Sequence, residues 1–456
     1  MWKLLYNIGL ILAAPVIVCV LLAKPRCRPG LAQRLGLEDG LSGLFGLSRR
    51  PDRPEGPDRL DRPSEPDRPV IWVHAVSLGE AVAAAPLVKA LHGRHPEYRY
   101  IVTTVTETGH EAVEQRLAGV AEHRYAPLDL PWVVAGMIDR LRPALYLFVE
   151  TELWPNLLWT LRDRQVPAVL VNGRLSSRSF RRQDIGGIRE LYRSVLQSIS
   201  LCLMQSDRDR QRIVALGANP DVAHTTGNIK FDQPLPDMNG ESSLRQTFGL
   251  ADQERLILAG STHAGEEELL VLAYGQIVKA HPSAVLMLAP RHIERVDRVE
   301  AMIREAGFTA QRKSQVGETE AGPRVIILDT RGELARAYRE AVVAFVGGTL
   351  IPVGGHNLLE PAVWGTPVLF GPYTDHCAEV AALLGEAGGG RRVTGVEDFV
   401  QCVSEWLADQ NARDAVGQAA KRVVLDNQGA LQRSLDLIET CLTPSAVRLK
   451  EPMANG

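Results

Sequence analysis

The chain has 456 residues, of which 45% are hydrophobic, and it carries a formal net charge of −3 at pH 7. This length predicts two or three domains with ample hydrophobic cores, and the near-neutral charge argues against nucleic acid as a partner. The six cysteines form no C-x-x-C pair, which argues against a zinc site or a disulfide framework and favours a reducing compartment; they are Cys19, Cys27, Cys202, Cys377, Cys402 and Cys441.

The N-terminal segment is uncharged and largely apolar over Leu4–Ala23. About 20 helical residues, each rising ~1.5 Å, cross a hydrocarbon core of ~30 Å, so residues 1–24 are predicted to form a single membrane anchor. Only Lys3 precedes the apolar run, whereas four basic residues follow it: Lys24, Arg26, Arg28 and Arg34. This bias predicts that the rest of the chain is cytoplasmic. A cleaved signal peptide or an interfacial segment, suggested by Asn7 and Pro15, remains an alternative.

A proline-rich tract with interleaved charges, RRPDRPEGPDRLDRPSEPDRP, follows over residues 49–69. Such a composition cannot build a core and predicts a solvated, extended linker. We expect the anchor before it to contact none of the motifs described below. A chain beginning near Pro69 is therefore predicted to fold by itself.

Beyond the linker, short apolar runs alternate with amphipathic helical segments. In the first half the predicted strands are Val70–Val73, Tyr100–Thr104, Ala144–Phe148, Ala168–Val171, Leu201–Met204 and Ala223–Thr225. In the second half they are Leu256–Leu258, Ala284–Leu288, Val325–Leu328, Val342–Val346 and Pro367–Leu369. This alternation predicts an α/β fold with two doubly wound, Rossmann-like domains, over residues 70–240 and 241–445. The predicted boundary is the segment Asp232–Glu241, where Pro, Asp and Gly cluster, and ligands are expected in a cleft at the strand ends.

The first strand is followed by HAVSLGE, in which the turn from Ser77 brings Glu80 to the first turn of a helix. One interpretation is a capping box, with Ser77 as N-cap and Glu80 three residues later. The other is a general base at the mouth of the cleft. The sequence does not decide between the two.

Charged residues follow three further strands of the first half, where packing explains them poorly. Glu150 directly precedes the motif TELWPN, and Glu152 is its second residue. Arg174 occurs in NGRLS, and Lys230 occurs in GNIKFD. The two cations predict a site for an acidic ligand at these strand ends.

In the second half, polar residues again follow strands: Ser261, Thr262 and His263, then Pro290 and Arg291, then Gly332, Glu333 and Leu334. Arg291 is suited to clamping a phosphate. Any one of these residues is more often a loop or cap residue than a ligand, but six strand ends with such residues favour a site.

The stretch Gly347–Gly371, GGTLIPVGGHNLLEPAVWGTPVLFG, is typical of a nucleotide site. Its glycines, Gly354 and Gly355 among them, permit close approach of backbone to ligand, and free N–H groups at a helix N-terminus are predicted to hold a phosphate. Glu360 is predicted to accept hydrogen bonds from ribose hydroxyls. The alternative is a capping box between Asn357 and Glu360, which Pro361 disfavours because proline prefers the first helical position.

With these motifs in order, HAVSLGE, TELWPN, NGRLS, GNIKFD, AGSTH, APRH and GGHNLLEPA, the chain resembles the 3-deoxy-D-manno-octulosonic acid (Kdo) transferases of lipopolysaccharide assembly, membrane-anchored glycosyltransferases of the GT-B fold. The resemblance runs from about Val70 to Ala430 and includes the N-terminal anchor. It implies that Glu80 is the general base and that Glu150 or Glu152, with Lys230, supports the transition state. It further implies that nine residues contact the donor: Pro290, Arg291, Gly332, Glu333, Leu334, Asn357, Leu358, Leu359 and Glu360.

The implied reaction is inverting transfer of Kdo from CMP-Kdo to a lipid A precursor of the lipid IVA type, at the cytoplasmic face of the bacterial inner membrane. Further substrate contacts are expected from Arg174, Ser261, Thr262, His263, Gly354 and Gly355. No metal-binding motif occurs, and no cofactor besides the donor is expected. Arg331, where the family usually has an uncharged residue, and the 49–69 insertion depart from the family pattern.

Two other functions remain open. One is another GT-B enzyme that uses a UDP-sugar with a lipid acceptor, or an epimerase on the same scaffold. The other is a membrane-tethered nucleotide-binding regulator without turnover, which would have no need of Glu80. Acidic groups on both predicted walls of the cleft favour an enzyme.

Overall fold

A computed structural model describes residues 2–23, 30–37, 68–232, 244–315 and 324–442. Most of the predicted linker and of the predicted domain boundary lies outside these residues. The chain divides into two compact units, with breaks after residues 233 and 427, and the segment after the second break returns to the first unit.

The first unit contains a parallel seven-stranded sheet in the order β3-β2-β1-β4-β5-β6-β7. Its strands are β1 (Val70–His74), β2 (Arg99–Thr104), β3 (Glu122–Tyr125), β4 (Pro143–Val149), β5 (Ala168–Gly173), β6 (Leu201–Met204) and β7 (Ala223–Thr225). The central strands are continuous apolar runs because both faces are covered. In β4, Leu145 and Leu147 enter one core, and Tyr146 and Phe148 enter the core on the opposite face.

The helices of the first unit cover these two faces. They are α1 (Trp2–Ala23), α2 (Leu31–Arg34), α3 (Leu78–Arg94), α4 (Glu107–Arg116), α5 (Pro131–Leu141), α6 (Pro155–Asp163), α7 (Ser177–Gln183), α8 (Gly186–Leu196) and α9 (Asp207–Ala215). Side-chain N-caps fix several of their starts, for example Thr106 before α4 and Ser206 before α9.

The second unit contains another parallel seven-stranded sheet, in the order β10-β11-β9-β8-β12-β13-β14. Its strands are β8 (Arg255–Thr262), β9 (Ala284–Pro290), β10 (Thr309–Arg312), β11 (Arg324–Ile327), β12 (Ala341–Val346), β13 (Val368–Phe370) and β14 (Gly390–Arg392). Its helices are α10 (Glu266–Ala280), α11 (Val296–Glu305), α12 (Leu334–Ala337), α13 (Leu359–Trp364), α14 (Ala378–Glu386), α15 (Val396–Ala408) and α16 (Gln410–Asp426). The two doubly wound parallel sheets confirm the predicted fold class.

Three strands were not predicted from the sequence: β3, β10 and β14. Each lies at the edge of its sheet. An edge strand has a neighbour on one side only and contributes less to the core, so its sequence need not be apolar. The sequences EHRY, TAQR and GRR carry charge where the central strands carry Val, Ile and Leu.

The last helix, α17 (Ala430–Leu442), packs with the first unit, although the sequence analysis placed it in the second domain. Asp232, at the end of GNIKFD, accepts hydrogen bonds from the backbone N–H groups of Gly429 and Leu431, both at 2.6 Å. These bonds satisfy N–H groups at the start of α17. Leu435 and Ile438 then enter the core that contains Leu87 and Leu145.

Helix α1 packs against the rest of the first unit through polar side chains. Asn7 and Asn156 exchange two amide hydrogen bonds, at 3.1 and 2.8 Å, and the hydroxyl of Tyr6 donates to Asp129 at 2.9 Å. Asn156 belongs to the TELWPN motif, so the prediction that the N-terminal segment contacts no motif is wrong. Within the described part of the chain, no helix combines the length and the apolar character needed to cross a membrane. The anchor over residues 1–24 stays a prediction.

We expect Asn7→Leu to lower the free energy of unfolding by about 1–3 kcal/mol, because the buried amide of Asn156 loses two of its hydrogen bonds. The matched control is Lys3→Ala, which removes the half-exposed ion pair with Asp163 and should cost at most about 1 kcal/mol. Thermal melts followed by circular dichroism measure both. A wild-type melting temperature for Asn7→Leu, and for a chain that begins at Pro69, would contradict this packing.

Candidate active site

The first unit places its acidic motifs at the point where the strand order reverses. Strands β1 and β4 are hydrogen-bonded neighbours, and the chain leaves β1 toward one side of the sheet and β4 toward the other. In open α/β sheets, ligands bind at such a point, beyond the carboxyl ends of the strands. Glu80 follows β1, and Glu150 and Glu152 follow β4.

Glu80 is buried at the start of α3, with 8% of its surface exposed. Its two carboxylate oxygens accept hydrogen bonds at 2.8 Å from the backbone N–H of Val76 and from the hydroxyl of Ser77. Burial raises the pKa of Glu80 from 4.5 to about 7; the two hydrogen bonds oppose this rise, and the charges of Glu150 and Glu152 add to it. Ser77 is also the N-cap of α3. Glu80 therefore shares in the cap and carries the pKa expected of a general base near neutral pH.

Lys230 forms an ion pair with Glu150, with 3.0 Å between Nζ and Oε1. Glu150 has a φ of 59°, in the left-handed region that a residue other than glycine rarely adopts. Such strain is found mostly at functional sites, where surrounding contacts maintain it. The structure thus brings the predicted catalytic residues Glu80, Glu150, Glu152 and Lys230 into one electrostatic cluster.

The loops that carry this cluster are tied together by side chains. Asn172 is buried, and its Oδ1 accepts a hydrogen bond from the backbone N–H of Ile229, next to Lys230. The hydroxyl of Thr151, next to Glu150, donates to the carbonyl oxygen of Arg174. The loops after β4, β5 and β7 are therefore held in one arrangement, and Arg174 lies on one of them.

The second unit repeats this arrangement: β8 and β12 are neighbours where the strand order reverses. The residues after β8 are held by Glu266, the first residue of α10, which is fully buried. Its carboxylate accepts hydrogen bonds of 2.7 to 3.1 Å from four backbone N–H groups, those of His263, Gly348, Thr349 and Leu350.

The glycine-rich turn is consequently closed on itself, because Glu266 occupies the N–H groups of Gly348, Thr349 and Leu350. The predicted phosphate contact at the N-terminus of the helix that follows Gly354 and Gly355 stays a prediction. The N–H groups of Gly354 and Gly355 both donate to the carbonyl of Gly348, and both glycines are buried. A Cβ atom at Gly347 would lie 2.4 Å from the carbonyl oxygen of Ser261, so the close approach that needs glycine is to β8.

A histidine cluster lies beside Arg291. The Nε2 atoms of His263 and His356 are 2.8 Å apart, and the ring of His292 packs edge-on against His263 at 5.7 Å between centroids. Burial, together with the nearby charges of His263, Arg291 and His376, lowers the pKa of His356 to about 4. Burial also lowers the pKa of His263. His263 and His356 are therefore neutral near pH 7, and the exposed Arg291 supplies the positive charge beside them.

The helix after the glycine-rich turn, α13, begins at Leu359 and not after Glu360. The Oδ1 of Asn357 accepts from the N–H of Leu359 at 3.1 Å, and its Nδ2 lies 3.3 Å from Glu360 Oε1. This is an Asx turn with a side-chain contact, not the reciprocal backbone capping box. The side chains of Leu358 and Leu359 are buried, so only their backbone can meet a ligand.

The other residues predicted on the donor side have mixed environments. Pro290 is buried at the end of β9, and the hydroxyl of Thr262 is buried and donates to Glu267 at 3.0 Å. Glu333 is paired with Lys313 at 2.8 Å and accepts from the hydroxyl of Thr330. Burial acts to raise the pKa of Glu333, but these two partners hold it below its ordinary value. Its carboxylate is thus ionised and already partnered within the unit.

Comparison with known proteins identifies the family. A family model described as 3-deoxy-D-manno-octulosonic-acid transferase (kdotransferase) matches residues 50–233. The 3-deoxy-D-manno-octulosonic acid transferase of Haemophilus influenzae is 34% identical over 450 residues, which cover 97% of this chain and 99% of that protein. The protein of the same name from Bordetella pertussis is 36% identical over 387 residues, covering 82% and 87%. The chain belongs to the Kdo transferase family.

Solved structures agree on the fold of this Kdo transferase family member. A UDP-GlcNAc 2-epimerase from Neisseria meningitidis aligns with a TM-score of 0.55 at 13% identity, over 81% of this chain and 99% of that one. A glycosyltransferase from Rickettsia africae aligns with a TM-score of 0.55 at 12% identity, over 83% and 100%. At such identities the likeness concerns the fold alone, and the fold is of the GT-B type.

Three residues that organise the site of this Kdo transferase family member escaped the sequence analysis. Asn172 and Glu266 bind backbone N–H groups of other loops, and His356 completes the histidine pair. Glu266 resembles any acidic residue in the first turn of a helix, so no local signal distinguishes it. His356 could have been found, because it lies two residues after Gly354 in the stretch already singled out.

Proposed function

We propose that the chain transfers Kdo, with inversion, from CMP-Kdo to a hydroxyl of a lipid A precursor during lipopolysaccharide assembly. The observation that carries this proposal is the buried carboxyl of Glu80, with its pKa raised to about 7 next to Glu150 and Glu152. A capping role alone would not require Glu80 to be buried close to two other carboxylates. Family membership supports the choice of Kdo as the transferred group.

In the proposed step, the acceptor oxygen attacks the anomeric carbon of Kdo, and Glu80 takes the proton of the acceptor hydroxyl. The bond between the anomeric carbon and the phosphate oxygen breaks, and its electron pair leaves with CMP. Lys230 and Arg174 are suited to the carboxylate of Kdo because both are cations on the loops that follow the strands of the first unit. Glu150, paired with Lys230, holds that ammonium group in place.

On the donor side, we propose that Arg291 binds the phosphate of CMP. It is the exposed cation beside neutral His263 and His356, whose rings can donate hydrogen bonds without adding charge. Glu266 occupies the N–H groups of Gly348, Thr349 and Leu350. We therefore expect Arg291 and the helix N–H groups after Gly354 and Gly355, rather than those three, to stabilise the departing phosphate. No metal or further cofactor is part of the proposal.

We also propose that the enzyme works at the cytoplasmic face of the inner membrane, held there by the N-terminal segment. Five apolar side chains of α1 are 49% to 75% exposed, and they form one stripe along the helix: Leu4, Leu5, Ile8, Ile11 and Leu12. An exposed apolar stripe of this size supports contact with a lipid surface.

The test is incubation of the full-length protein with CMP-Kdo and a lipid A precursor in mixed micelles, followed by mass spectrometry of the lipid. We expect the acceptor to gain one or more Kdo residues. The rival is a GT-B enzyme that uses a UDP-sugar. No Kdo product, together with consumption of a UDP-sugar under the same conditions, would contradict the proposal in favour of that rival.

Glu360→Ala tests the donor site. If Glu360 accepts a ribose hydroxyl, the variant should bind CMP more weakly by roughly 1.5–3 kcal/mol and melt like the wild type. If it only supports the start of α13, stability should fall by roughly 0.5–2 kcal/mol. Glu397→Ala is the matched control, since it removes an exposed first-turn acid from α15 of the same unit.

Calorimetric titration of CMP, with melting curves alongside, measures both quantities. An early-melting Glu360→Ala that binds CMP with wild-type affinity would remove Glu360 from the donor site. The Glu397→Ala control should bind CMP like the wild type.

A further inference from the structure

An apolar cavity of about 230 Å³ lies in the first unit between α1 and the loops that follow β3 and β4. Tyr6 and Leu10 of α1 line one side. Most of the remaining wall comes from Leu128, Leu130, Leu153 and Trp154. A cavity walled by aliphatic and aromatic side chains selects an apolar ligand.

The polar group in this wall is already satisfied. The carboxylate of Asp129 accepts hydrogen bonds from the hydroxyl of Tyr6 at 2.9 Å and from the backbone N–H groups of Asn156 and Leu157 at 3.0 and 2.9 Å. It holds α1 to the start of α6. With these three donors, Asp129 needs no cationic or hydrogen-bonding ligand in the cavity.

The cavity adjoins the acidic cluster described above. The indole N–H of Trp154 donates to Glu152 Oε2 at 3.1 Å, and the ring packs edge-on against His74 at 4.8 Å between centroids. Leu153 and Trp154 directly follow Glu152 in the chain. One wall of the apolar cavity is therefore also hydrogen-bonded to a proposed catalytic carboxylate.

Helix α1 separates this cavity from an apolar outer surface. Tyr6 and Leu10 point into the cavity, whereas Leu5, Ile8 and Leu12 are about half exposed or more. A ligand that enters from a lipid surface would meet apolar side chains both outside and inside the helix. A water-soluble ligand would gain nothing from this arrangement.

We propose that this cavity holds one acyl chain of the lipid acceptor and so sets which acceptor chains the enzyme prefers. The inference rests on the proposed function, because it needs a lipid acceptor whose hydroxyl reaches Glu80. An acyl chain buried beside Trp154 would orient the acceptor's sugar toward Glu152 and Glu80. The cavity is thus a specificity site, and its side chains take no part in the proton transfer.

Leu10→Trp tests this inference by filling the cavity. We expect the ratio of kcat/KM for an acylated acceptor to kcat/KM for its acyl-free disaccharide to fall at least tenfold. The matched control is Leu272→Trp, which places the same side chain on α10 at a position that is 60% exposed and lies outside both the cavity and the apolar stripe of α1. It should leave the ratio unchanged. Both variants are assayed as full-length protein in the same mixed micelles.

An unchanged ratio in Leu10→Trp, with a wild-type melting temperature, would overturn the inference. If the cavity instead holds a chain of the surrounding lipid, Leu10→Trp should affect both acceptors equally. The ratio would then also stay unchanged, and the inference would be overturned. Failure of the proposed function looks different, since the wild type would transfer Kdo to neither acceptor.

Leu10→Ala keeps the test decisive if Leu10→Trp does not fold. The smaller side chain lengthens the cavity, so the preferred chain length in a series of acceptors should shift toward longer chains. An unchanged optimum across that series would overturn the inference.

Discussion

Glu80→Gln is expected to lower the rate of Kdo transfer by ~10²–10⁴-fold, the range for loss of a positioned general base. Glutamine keeps the shape of the side chain, and both local hydrogen bonds survive. Its amide oxygen can accept from the N–H of Val76, and its NH₂ group can donate to Ser77. CMP affinity should stay unchanged, because Glu80 belongs to the first unit and the proposed CMP contacts to the second. Single-turnover kinetics and CMP titration measure both.

Stability separates this role from capping. The folded state raises the pKa of Glu80 from 4.5 to about 7. The stability that Glu80 contributes is therefore full below about pH 4.5 and is lost as the pH rises through 7. At pH 8, Glu80→Gln should melt no earlier than the wild type, since it removes a buried negative charge. An active variant that melts early would return Glu80 to a capping role.

Lys230→Gln is expected to lower kcat by about 10²–10³-fold, the range for removal of one group that stabilises developing charge. Loss of the ammonium group also leaves the charge of Glu150 uncompensated near Glu80. The pKa of Glu80 should then rise further. As the pH is lowered, the variant should therefore begin to lose activity at a higher pH than the wild type does.

The double variant Lys230→Gln with Glu150→Gln distinguishes two roles of the lysine. It removes both charges and should return the pH dependence toward that of the wild type. If Lys230 also binds the substrate carboxylate, kcat stays low in the double variant. Full recovery of kcat would show that Lys230 serves only to neutralise Glu150.

The sequence was sufficient for the central strands and for the grouping of the acidic motifs. Strands buried on both faces, such as β4, must be apolar throughout, which makes them recognisable. Polar residues directly after such strands, such as Glu150, are then placed at one edge of the sheet by the parallel topology alone. The grouping of Glu80, Glu150, Glu152 and Lys230 at this edge could therefore be predicted from the sequence.

Contacts that join distant parts of the chain could not be predicted in this way. Asn7 meets Asn156 across 149 residues, and Glu266 meets Gly348 across 82 residues. Each of these side chains has an unremarkable local setting, in an apolar helix or in the first turn of an amphipathic one. The partner of each side chain is fixed by tertiary packing, and the spacing of residues along the chain does not predict it.

The pH dependence of the single-turnover rate tests the central claim, that Glu80 removes the acceptor proton, most directly. A base must be ionised to act, so the rate should be level above the pKa of Glu80, about 7, and should fall tenfold per pH unit below it. The residual rate of Glu80→Gln should lack this dependence. A Glu80→Gln variant that transfers Kdo at the wild-type rate with the same pH dependence would contradict the account.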